Sequence, residues 1–451
     1  MGVMGKGILL LILGALLILS GCSRGSESSE NSDTSLLAQW DNGVGFIQLD
    51  NVAELISPGT QNLSATDVAR GANDFAFRLS TALLEDAGHD NFVFSPYSVW
   101  MPLAALVNAT NEEHKPALIE ALGAGGISQE DINQAASRML FNLTNERARR
   151  EGWGEWGGNE ESPLHIANAI FVDYNWPLRR EFAQTFADYY RGSAMNLDFS
   201  SQAAVDAVNQ WASDNTNGLI NNIIQEFNPD TVAAIANAIY FSGSWLDQFN
   251  PNSTIRDTFY SPIGESEAYF MQRRGFFTYF EDEKVQAVNL SFADWSGMKI
   301  ILPKDGDAVG FLSSMTSECF DIMQNNSALG EGTLKLPRFS IENTIDNLAD
   351  ALITLGVPLF DQVAAPLTGG LIYDEGELVW LNNAVQVAMI EVDEEGAIAA
   401  AVTIYDISVT SAPEPEITFE MICNTPFVFI LHSNTRDGGR QILFMGVVNQ
   451  P

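Results

Sequence analysis

Apolar residues spaced three and four positions apart predict helices, mainly in the first half of the chain. The clearest stripe covers residues 66–87, where Thr66 or Asp67 is predicted to cap the first turn. Three further helices are predicted at residues 99–106, within residues 205–224 with a stop near Gly218, and at residues 347–355 with a stop at Gly356.

Short β-type runs dominate the rest of the chain. They predict strands at residues 91–94, 166–173, 231–241, 258–260, 276–280, 287–291, 298–302, 333–341, 427–431 and 441–448. Helices come first and many strands follow, and no strong linker divides the interior. This order predicts an α+β fold built as one large unit.

One stretch, residues 391–412, fits neither pattern well. An acidic turn ends at Gly396, and Ala397, Ala399, Ala400 and Ala401 follow before a β-branched run through Thr403. Alanine buries little apolar surface and has a weak strand propensity, so a permanent core strand is a poor interpretation. A strand of small residues is better suited to sliding between two strands already present, although the stretch alone fits an Ala-rich helix or loop equally well.

The strongly negative net charge of the chain argues against some classes of binding partner. The chain has 451 residues, 58 acids against 22 Lys and Arg, and a formal net charge of −36. Nucleic-acid binding depends on clustered Lys and Arg, so we expect no nucleic-acid partner. With 46% hydrophobic residues the chain can bury a large core.

Catalytic and metal-binding motifs are missing from the sequence. Its four histidines form no HExxH motif, and there is no GxSxG elbow, P-loop or GxGxxG after a strand. We therefore expect no enzyme activity, no metal and no cofactor. Cys319 and Cys423 lie about a hundred residues apart, and two separate buried thiols are a better interpretation than a bridge between them.

The first residues predict export. Lys6 precedes an apolar run over residues 7–19, and the tetrad that ends at Cys22 resembles the lipobox of prokaryotic lipoproteins. We predict a signal peptide at residues 1–21, a lipidated Cys22, a polar tether and N-terminal extension over residues 22–65, and one domain over residues 66–451. The protein would then be an extracytoplasmic lipoprotein held at a membrane. The alternative is an uncleaved membrane helix.

Six blocks of residues, in the correct order, resemble the serpins. They are 91–106 with Ser95, Pro96 and Ser98; 167–171; Val208, Asn209, Trp211, Thr216, Gly218 and Ile220; 237–241 with Gly243, Trp245 and Phe249; 336–339 with Leu355 and Gly356; and 426–429 with 444–446. The resemblance covers roughly residues 66–451. It implies helices packed on a large central mixed β-sheet, further sheets, and an exposed reactive-centre loop at about residues 394–415.

The resemblance also implies two groups of site residues. The shutter and breach, which control opening of the central sheet, would contain Ser95, Ser98, Asn209, Trp245 and Gln386, the last standing where most serpins carry His. The hinge and the inserting segment would be Glu394, Glu395, Gly396, Ala397, Ala399, Ala400, Ala401 and Thr403.

The implied function is suicide inhibition of a serine protease through a covalent acyl complex, and the chain is expected to be a monomer. Family spacing places the reactive bond at Thr410–Ser411, fourteen residues after the hinge glycine. No Lys or Arg lies between Gly396 and Pro426, so elastase-like or subtilisin-like proteases are the expected targets. The alternatives are a non-inhibitory serpin and a solute-binding lipoprotein; a hydrolase is least supported, for want of a nucleophile–base pair.

Overall fold

The structure is a computed structural model of the chain. It describes residues 11–22, 35–36, 39–41, 44–46, 52–56, 63–85, 88–148, 164–176, 178–294, 296–368, 370–371, 378–396, 417–434 and 440–451.

Within these ranges the chain forms nine α-helices. They are α1 (Leu63–Leu84), α2 (Pro96–Leu106), α3 (Lys115–Ala121), α4 (Gln129–Ala148), α5 (Arg180–Tyr190), α6 (Gln202–Asn215), α7 (Ala308–Ser314), α8 (Ser317–Asn325) and α9 (Leu348–Thr354). None of the helices described is both long enough and apolar enough to cross a membrane.

The strands of the described residues are numbered in chain order. They are β1 (Leu11–Cys22), β2 (Ser35–Leu36), β3 (Gln39–Asp41), β4 (Val44–Phe46), β5 (Phe92–Phe94), β6 (Leu164–Asp173), β7 (Leu178–Arg179), β8 (Gly192–Leu197), β9 (Thr231–Phe241), β10 (Ile255–Ser261), β11 (Gly264–Glu281), β12 (Val285–Ser291), β13 (Gly297–Pro303), β14 (Ala328–Pro337), β15 (Phe339–Ile345), β16 (Leu378–Val392), β17 (Ile417–Ile422), β18 (Phe427–Asn434) and β19 (Arg440–Val448).

Two large sheets carry the fold. The first, the central sheet, has eight strands in the order β15-β16-β1-β9-β6-β8-β4-β3. The second has the order β17-β14-β11-β12-β13-β18-β19-β5, with β10 paired to β11. The first sheet is mixed, because β6 and β8 run parallel while β6 and β9 run antiparallel. The predicted α+β class with a large mixed central sheet is confirmed.

At the centre of this sheet β1 lies between β9 and β16. It runs antiparallel to both of them, so β9 and β16 run parallel to each other. Parallel strands need long crossover connections, and here strands β10 to β15 lie in the sequence between them. The two central strands are therefore joined only through distant parts of the chain.

Both faces of the central sheet are covered. On one face lies the main core, which includes the wholly buried helix α2. On the other face α6 packs through Val205 and Val208 against Ala234 and Ala236 of β9. Because β9 is buried on both faces along its full length, it reads as a continuous apolar run rather than as an alternating one.

Helix ends follow the predicted stops better than the predicted starts. Gly218 has φ 81° and its N–H donates to the Ser213 carbonyl at 2.8 Å, which closes the end of α6. Gly356, φ 85°, ends α9 in the same left-handed region. The predicted cap at Thr66 or Asp67 is wrong, because α1 already begins at Leu63 and Asp67 instead accepts a hydrogen bond from Arg70 within the helix at 2.9 Å.

Two other expectations need correction. The predicted strand at 333–341 is two strands in different sheets, because the chain passes from β14 to β15 at Arg338, whose N–H donates to the Tyr269 carbonyl at 2.8 Å. Cys423 is a buried free thiol as expected, but Cys319 is exposed. It lies near the start of α8, which buries Phe320, Met323 and Gln324.

The N-terminal extension is attached to the domain. Strands β3 and β4 form a hairpin that continues the central sheet beyond β8. Farther along, the Ala53 N–H donates to Asp188 of α5 at 2.8 Å, and Arg191 donates to the Ala53 carbonyl at 2.7 Å. Much of the predicted tether, residues 23–34, lies outside the described residues.

Lys299 of β13 is an unpaired cation in the core of the second sheet. The residue is fully buried, and its Nζ has no hydrogen-bond partner among the described residues. Burial, with the nearby charge of Arg440, lowers the pKa of Lys299 to about 7. Buried His432 lies diagonally across on β18, and burial lowers its pKa to about 3. An unpaired buried ammonium is costly, so the fold carries a destabilising group here.

We predict that Lys299→Met raises the free energy of unfolding by roughly 1–4 kcal/mol, since a methionine of similar length removes the buried charge. The folded-state pKa lies below that of unfolded lysine, so the unfolded chain binds more protons between these values and wild-type stability rises with pH there. The gain should therefore be largest below pH 7 and shrink in base. Urea unfolding at about pH 6 and about pH 9 measures it.

Lys284→Met, at an exposed lysine, is the matched control and should change the free energy of unfolding by less than about 0.5 kcal/mol. A Lys299→Met protein that is less stable than wild type at the lower pH would contradict the assignment of Lys299 as a destabilising charge.

Candidate functional site

A tight turn after β16 fixes the start of the alanine-rich stretch. Residues 393–396 reverse away from the strand, and Gly396 forms an isolated antiparallel bridge with Ser244. Gly396 has φ 98°, and a Cβ there would lie 2.4 Å from the Trp245 nitrogen. Only glycine fits this position, because both the backbone conformation and the close approach exclude a side chain.

Trp245 holds the same turn from the other side. Its indole N–H donates to the Asp393 carbonyl at 2.9 Å, and its backbone N–H donates to the Glu395 carbonyl at 3.1 Å. The indole ring stacks on Phe292 with centroids 4.3 Å apart. The Phe249 N–H adds a hydrogen bond to the Glu394 carbonyl at 3.0 Å. The turn is thus tied to the chain that follows β9.

Glu394 is the buried charge of this turn, with only 4% of its side chain exposed. Arg338 donates to its Oε1 from Nε at 3.0 Å and from Nη2 at 2.7 Å, and the Thr254 hydroxyl donates to the same oxygen. Burial by itself would raise the pKa of Glu394, but these hydrogen bonds outweigh it and hold the pKa below its ordinary value. The carboxylate is therefore charged and paired at neutral pH.

In two neighbouring acids the pKa is shifted in the opposite direction, above its ordinary value. Burial raises the pKa of Asp393, and the charges of Glu394 and Glu395 raise it further. Burial, with the charge of Asp393, also raises the pKa of Glu391. Arg338 alone faces this cluster through a direct ion pair in the described residues, so the turn depends strongly on one guanidinium.

A second polar group lies halfway along β16. Gln386 is fully buried, donates from Nε2 to the Ser95 carbonyl at 2.9 Å, and accepts at Oε1 from the Ser95 N–H at 3.1 Å. The Ser95 hydroxyl in turn accepts from the Ser98 N–H at 3.2 Å and caps α2. One carboxamide therefore satisfies both backbone groups of a buried residue and links β16 to the start of α2.

Comparison with known proteins assigns this arrangement to a family. The family described as Serpin (serine protease inhibitor) matches residues 70–451. The chain belongs to the serpin family.

Individual relatives and solved structures support the same family assignment. Antichymotrypsin-2 of Bombyx mori is 31% identical, over 86% of this chain and 98% of its own length. An uncharacterized serpin-like protein of Methanosarcina acetivorans is 30% identical, over 85% and 88%. Among solved structures, the native state of the thermophilic serpin tengpin superposes with a TM-score of 0.72 at 24% identity, covering 90% of this chain and 100% of that one. The likeness to tengpin shows the serpin fold.

The structure brings most of the predicted serpin shutter and breach residues into two groups. Ser95, Ser98 and Gln386 meet between β16 and α2. Trp245 lies instead at the hinge turn with Glu394, Glu395 and Gly396. The first group lies at the middle of β16 and the second just beyond its end, so both contact the same strand of the central sheet.

Asn209 does not belong to the shutter, and its assignment there is wrong. It lies on α6, where its amide donates to the Ile224 carbonyl at 2.8 Å and accepts from the N–H groups of Ile223 and Ile224. Its role is to hold the segment that follows α6. Helix α6 covers one face of the central sheet, whereas Gln386 contacts Ser95 on the face covered by α2, so Asn209 cannot reach it.

The central sheet holds another buried asparagine, Asn237 of β9. It is fully buried and donates to the Asn168 side chain at 2.7 Å, and Asn168 donates to the Tyr190 carbonyl at 2.7 Å. The two asparagines are paired in register across β6 and β9. The tripeptide Asn-Ala-Ile recurs at 168–170 and 237–239 and is the sequence signal that would have found this pair.

Several predicted residues lie outside the described part of the chain. These are Ala397, Ala399, Ala400, Ala401, Thr403, and both residues of the reactive bond, Thr410 and Ser411. Cys22 is the last residue of β1, where it is in register with Leu378, and its lipidation stays a prediction.

We predict that Arg338→Met lowers the free energy of unfolding by roughly 1–3 kcal/mol, because it leaves the buried Glu394 carboxylate without its cation. The half-exposed arginine keeps this loss below that of a fully buried pair. Since the Glu394 pKa is depressed in the folded state, the stabilisation is present at neutral pH and is lost as the pH falls through the folded pKa. Urea unfolding at neutral and acid pH measures the change.

Arg274→Met is the control, since that arginine is 76% exposed and pairs with Glu331 on the surface. Its effect should stay below about 1 kcal/mol. If the two variants lost equal stability, or if the Arg338→Met loss persisted unchanged in acid, the ion pair would not be holding the hinge turn.

Proposed function

We propose that this serpin inhibits an extracytoplasmic serine protease of elastase-like or subtilisin-like specificity. The protease cleaves the reactive loop and forms an acyl-enzyme, and the released loop then enters the central sheet as a new strand. Serpin loop insertion is a known case of stored strain released by cleavage, and the added strand gains a ladder of backbone hydrogen bonds. The chemistry belongs to the protease, while this chain supplies the substrate loop and the sheet.

One observation carries the proposal. The sheet accommodates a strand antiparallel to both β9 and β16, and the hinge turn stands at the end of that position. A chain that continues from Gly396 and folds back beside β16 has the polarity that this position requires. The hinge turn follows the end of β16, and the position for the new strand lies beside β16, so the two are adjacent.

The composition of the inserting segment supports inhibition over simple cleavage. Residues 396–404 contain neither charge nor proline, and alanine occupies four of the first five positions after Gly396, with Ile398 the exception. A charged residue or a proline would have to be buried in the sheet or would remove a ladder hydrogen bond. A non-inhibitory serpin is the alternative, in which the loop is cut without trapping the protease.

The residues around the proposed reactive bond support the choice of target. Val409, Thr410, Ser411 and Ala412 are small and uncharged, and no Lys or Arg lies between Gly396 and Pro426. Proteases with small or shallow apolar specificity pockets accept such residues, whereas a trypsin-like pocket requires a cation. The predicted leader and lipidated Cys22 would hold the inhibitor outside the cytoplasm at a membrane, as a monomer.

Incubation of the protein without its predicted leader, residues 1–21, with a panel of purified serine proteases tests the proposal. We expect elastase-like or subtilisin-like enzymes to give a covalent complex that survives denaturing electrophoresis, and trypsin to give none. Mass spectrometry of the C-terminal fragment released from the complex should place the cut at Thr410–Ser411, within one residue.

A fragment that begins outside residues 410–413 would refute the reactive bond. Tight inhibition of trypsin with none of elastase would refute the target class. Cleavage without any stable complex would favour the non-inhibitory alternative.

A charge on the inserting face should convert the inhibitor into a substrate. On β16 the alternate residues Ala384, Gln386 and Ala388 are buried, while Val385 and Val387 are only partly so, and the two faces of an added strand differ in the same way. Ala399→Glu, on the inward face by strand alternation, should continue to be cleaved while the yield of complex falls by about tenfold or more, because a buried unpaired carboxylate opposes insertion.

Ala400→Glu places the same charge one residue along, on the face where Val385 and Val387 are only partly buried, and should retain more of the complex than Ala399→Glu. Densitometry of denaturing gels gives the ratio of complex to cleaved inhibitor for both variants and wild type, all without residues 1–21. Equal ratios for Ala399→Glu and wild type would show that the face assignment is wrong.

A further inference from the structure

The strand β1 occupies the position that the proposed reactive loop requires. It is formed by Leu11–Cys22, within the predicted leader, and is paired along almost its whole length on both sides. On one side Ile12 to Cys22 are in register with Met389 to Leu378 of β16, and on the other Leu11 to Ser20 are in register with Phe241 to Thr231 of β9. Each neighbouring strand has its facing backbone groups satisfied by this segment.

The polarity of β1 is the polarity of an inserted loop. It begins beside Phe241 and Met389, at the end of the sheet where the hinge turn lies, and runs toward Leu378. A loop that continues from Gly396 must also enter at the hinge end and run antiparallel to β16. Because a backbone edge pairs with one strand at a time, β1 and the reactive loop exclude each other.

The sequence of β1 suits this register. Ala15 is aligned with both Asn237 of β9 and Gln386 of β16, two buried polar residues. The sequence thus has a small residue in that register position. The loop has the same property, since its first positions after Gly396 are mostly alanines.

The hinge remains outside the sheet while β1 is in place. Gly396 bridges Ser244, and Trp245 and Arg338 hold the turn through Glu395 and Glu394. The central sheet is thus complete without the reactive loop, and the loop keeps its anchor at the sheet end. We call this arrangement the closed form: β1 fills the position between β9 and β16, and the hinge turn stays outside the sheet.

From these contacts we infer that the leader strand is an intramolecular plug. A chain that retains residues 11–22 in the central sheet cannot insert its reactive loop and is a substrate rather than an inhibitor, and loss of the leader ahead of Cys22 converts it into the inhibitor. The inference rests on the proposed function for its inhibitory consequence, whereas the plug itself rests only on the strand pairing. The form that retains the leader is kept inactive by its own first strand.

The experiment compares full-length variants. Leu16→Pro places a residue without an N–H in the middle of a strand paired on both sides, and a central strand does not tolerate it. Ala15→Arg is a second, independent disruption, which puts a charge at the register position between Asn237 and Gln386. Ser26→Pro, downstream of β1, is the matched control. Each protein is examined by amide hydrogen exchange and by complex formation with the protease identified in the panel.

In the wild-type chain and in Ser26→Pro we expect slow exchange along β9 and β16 and cleavage without stable complex. In Leu16→Pro and Ala15→Arg the amides of both strands that face β1 should exchange on the order of tenfold faster or more, and the covalent complex should appear. Unchanged exchange in both disruptive variants, or a wild-type chain that forms the complex as readily as they do, would overturn the plug.

The two readouts separate this inference from the proposed function. If no variant forms a complex with any protease but exchange rises along β9 and β16 in both disruptive variants, the plug is supported and the inhibitory function fails. If complexes form equally in all four proteins, the inhibitory function stands and the plug is wrong.

Discussion

The structure depends on the parallel relation of its two central strands. Because β9 and β16 run in the same direction, whatever lies between them must run antiparallel to both if it is to satisfy the backbone groups on both edges. In this structure the strand between them comes from the N-terminal segment. The same geometric requirement is met by a loop that leaves the end of β16 and turns back, so the position is available to two segments of one chain.

Buried polar groups on β16 and on β9 oppose the separation of these two strands. At the middle of the strand, Gln386 links the edge to Ser95 at the start of α2, and the Asn168–Asn237 pair lies on the opposite edge. At the end of the strand, Arg338 neutralises a buried Glu394 within an acidic turn. Gln386 and Glu394 are hydrogen-bonded in the closed arrangement, whereas the Asn237 Oδ1 has no partner among the described residues, and the Gln386 and Glu394 contacts must be disturbed when β16 moves. Buried polar contacts therefore set the cost of opening, while the apolar faces supply the bulk of the stability.

Elements with a strong local signal were predictable, and those defined by distant partners were not. β9 was predicted with its observed bounds, because an eleven-residue apolar run ends in turn residues. Helix α4 was missed, since its apolar stripe is interrupted by many polar residues and gains its stability from packing against α1 and α5. The predicted shutter residues were only partly brought together: Asn209 lies on α6 and bonds the segment that follows it, away from Ser95, Ser98 and Gln386.

By itself the sequence determined that a glycine hinge precedes a segment of small, uncharged residues, and that no basic residue follows before Pro426. These are local properties, fixed by the conformational freedom of glycine and by side-chain size and charge. Only the tertiary structure decided that a position for an extra strand exists and that the N-terminal segment fills it. Such a position arises when strands 231–241 and 378–392, far apart in sequence, are held parallel by their other neighbours, and no local pattern encodes that relation.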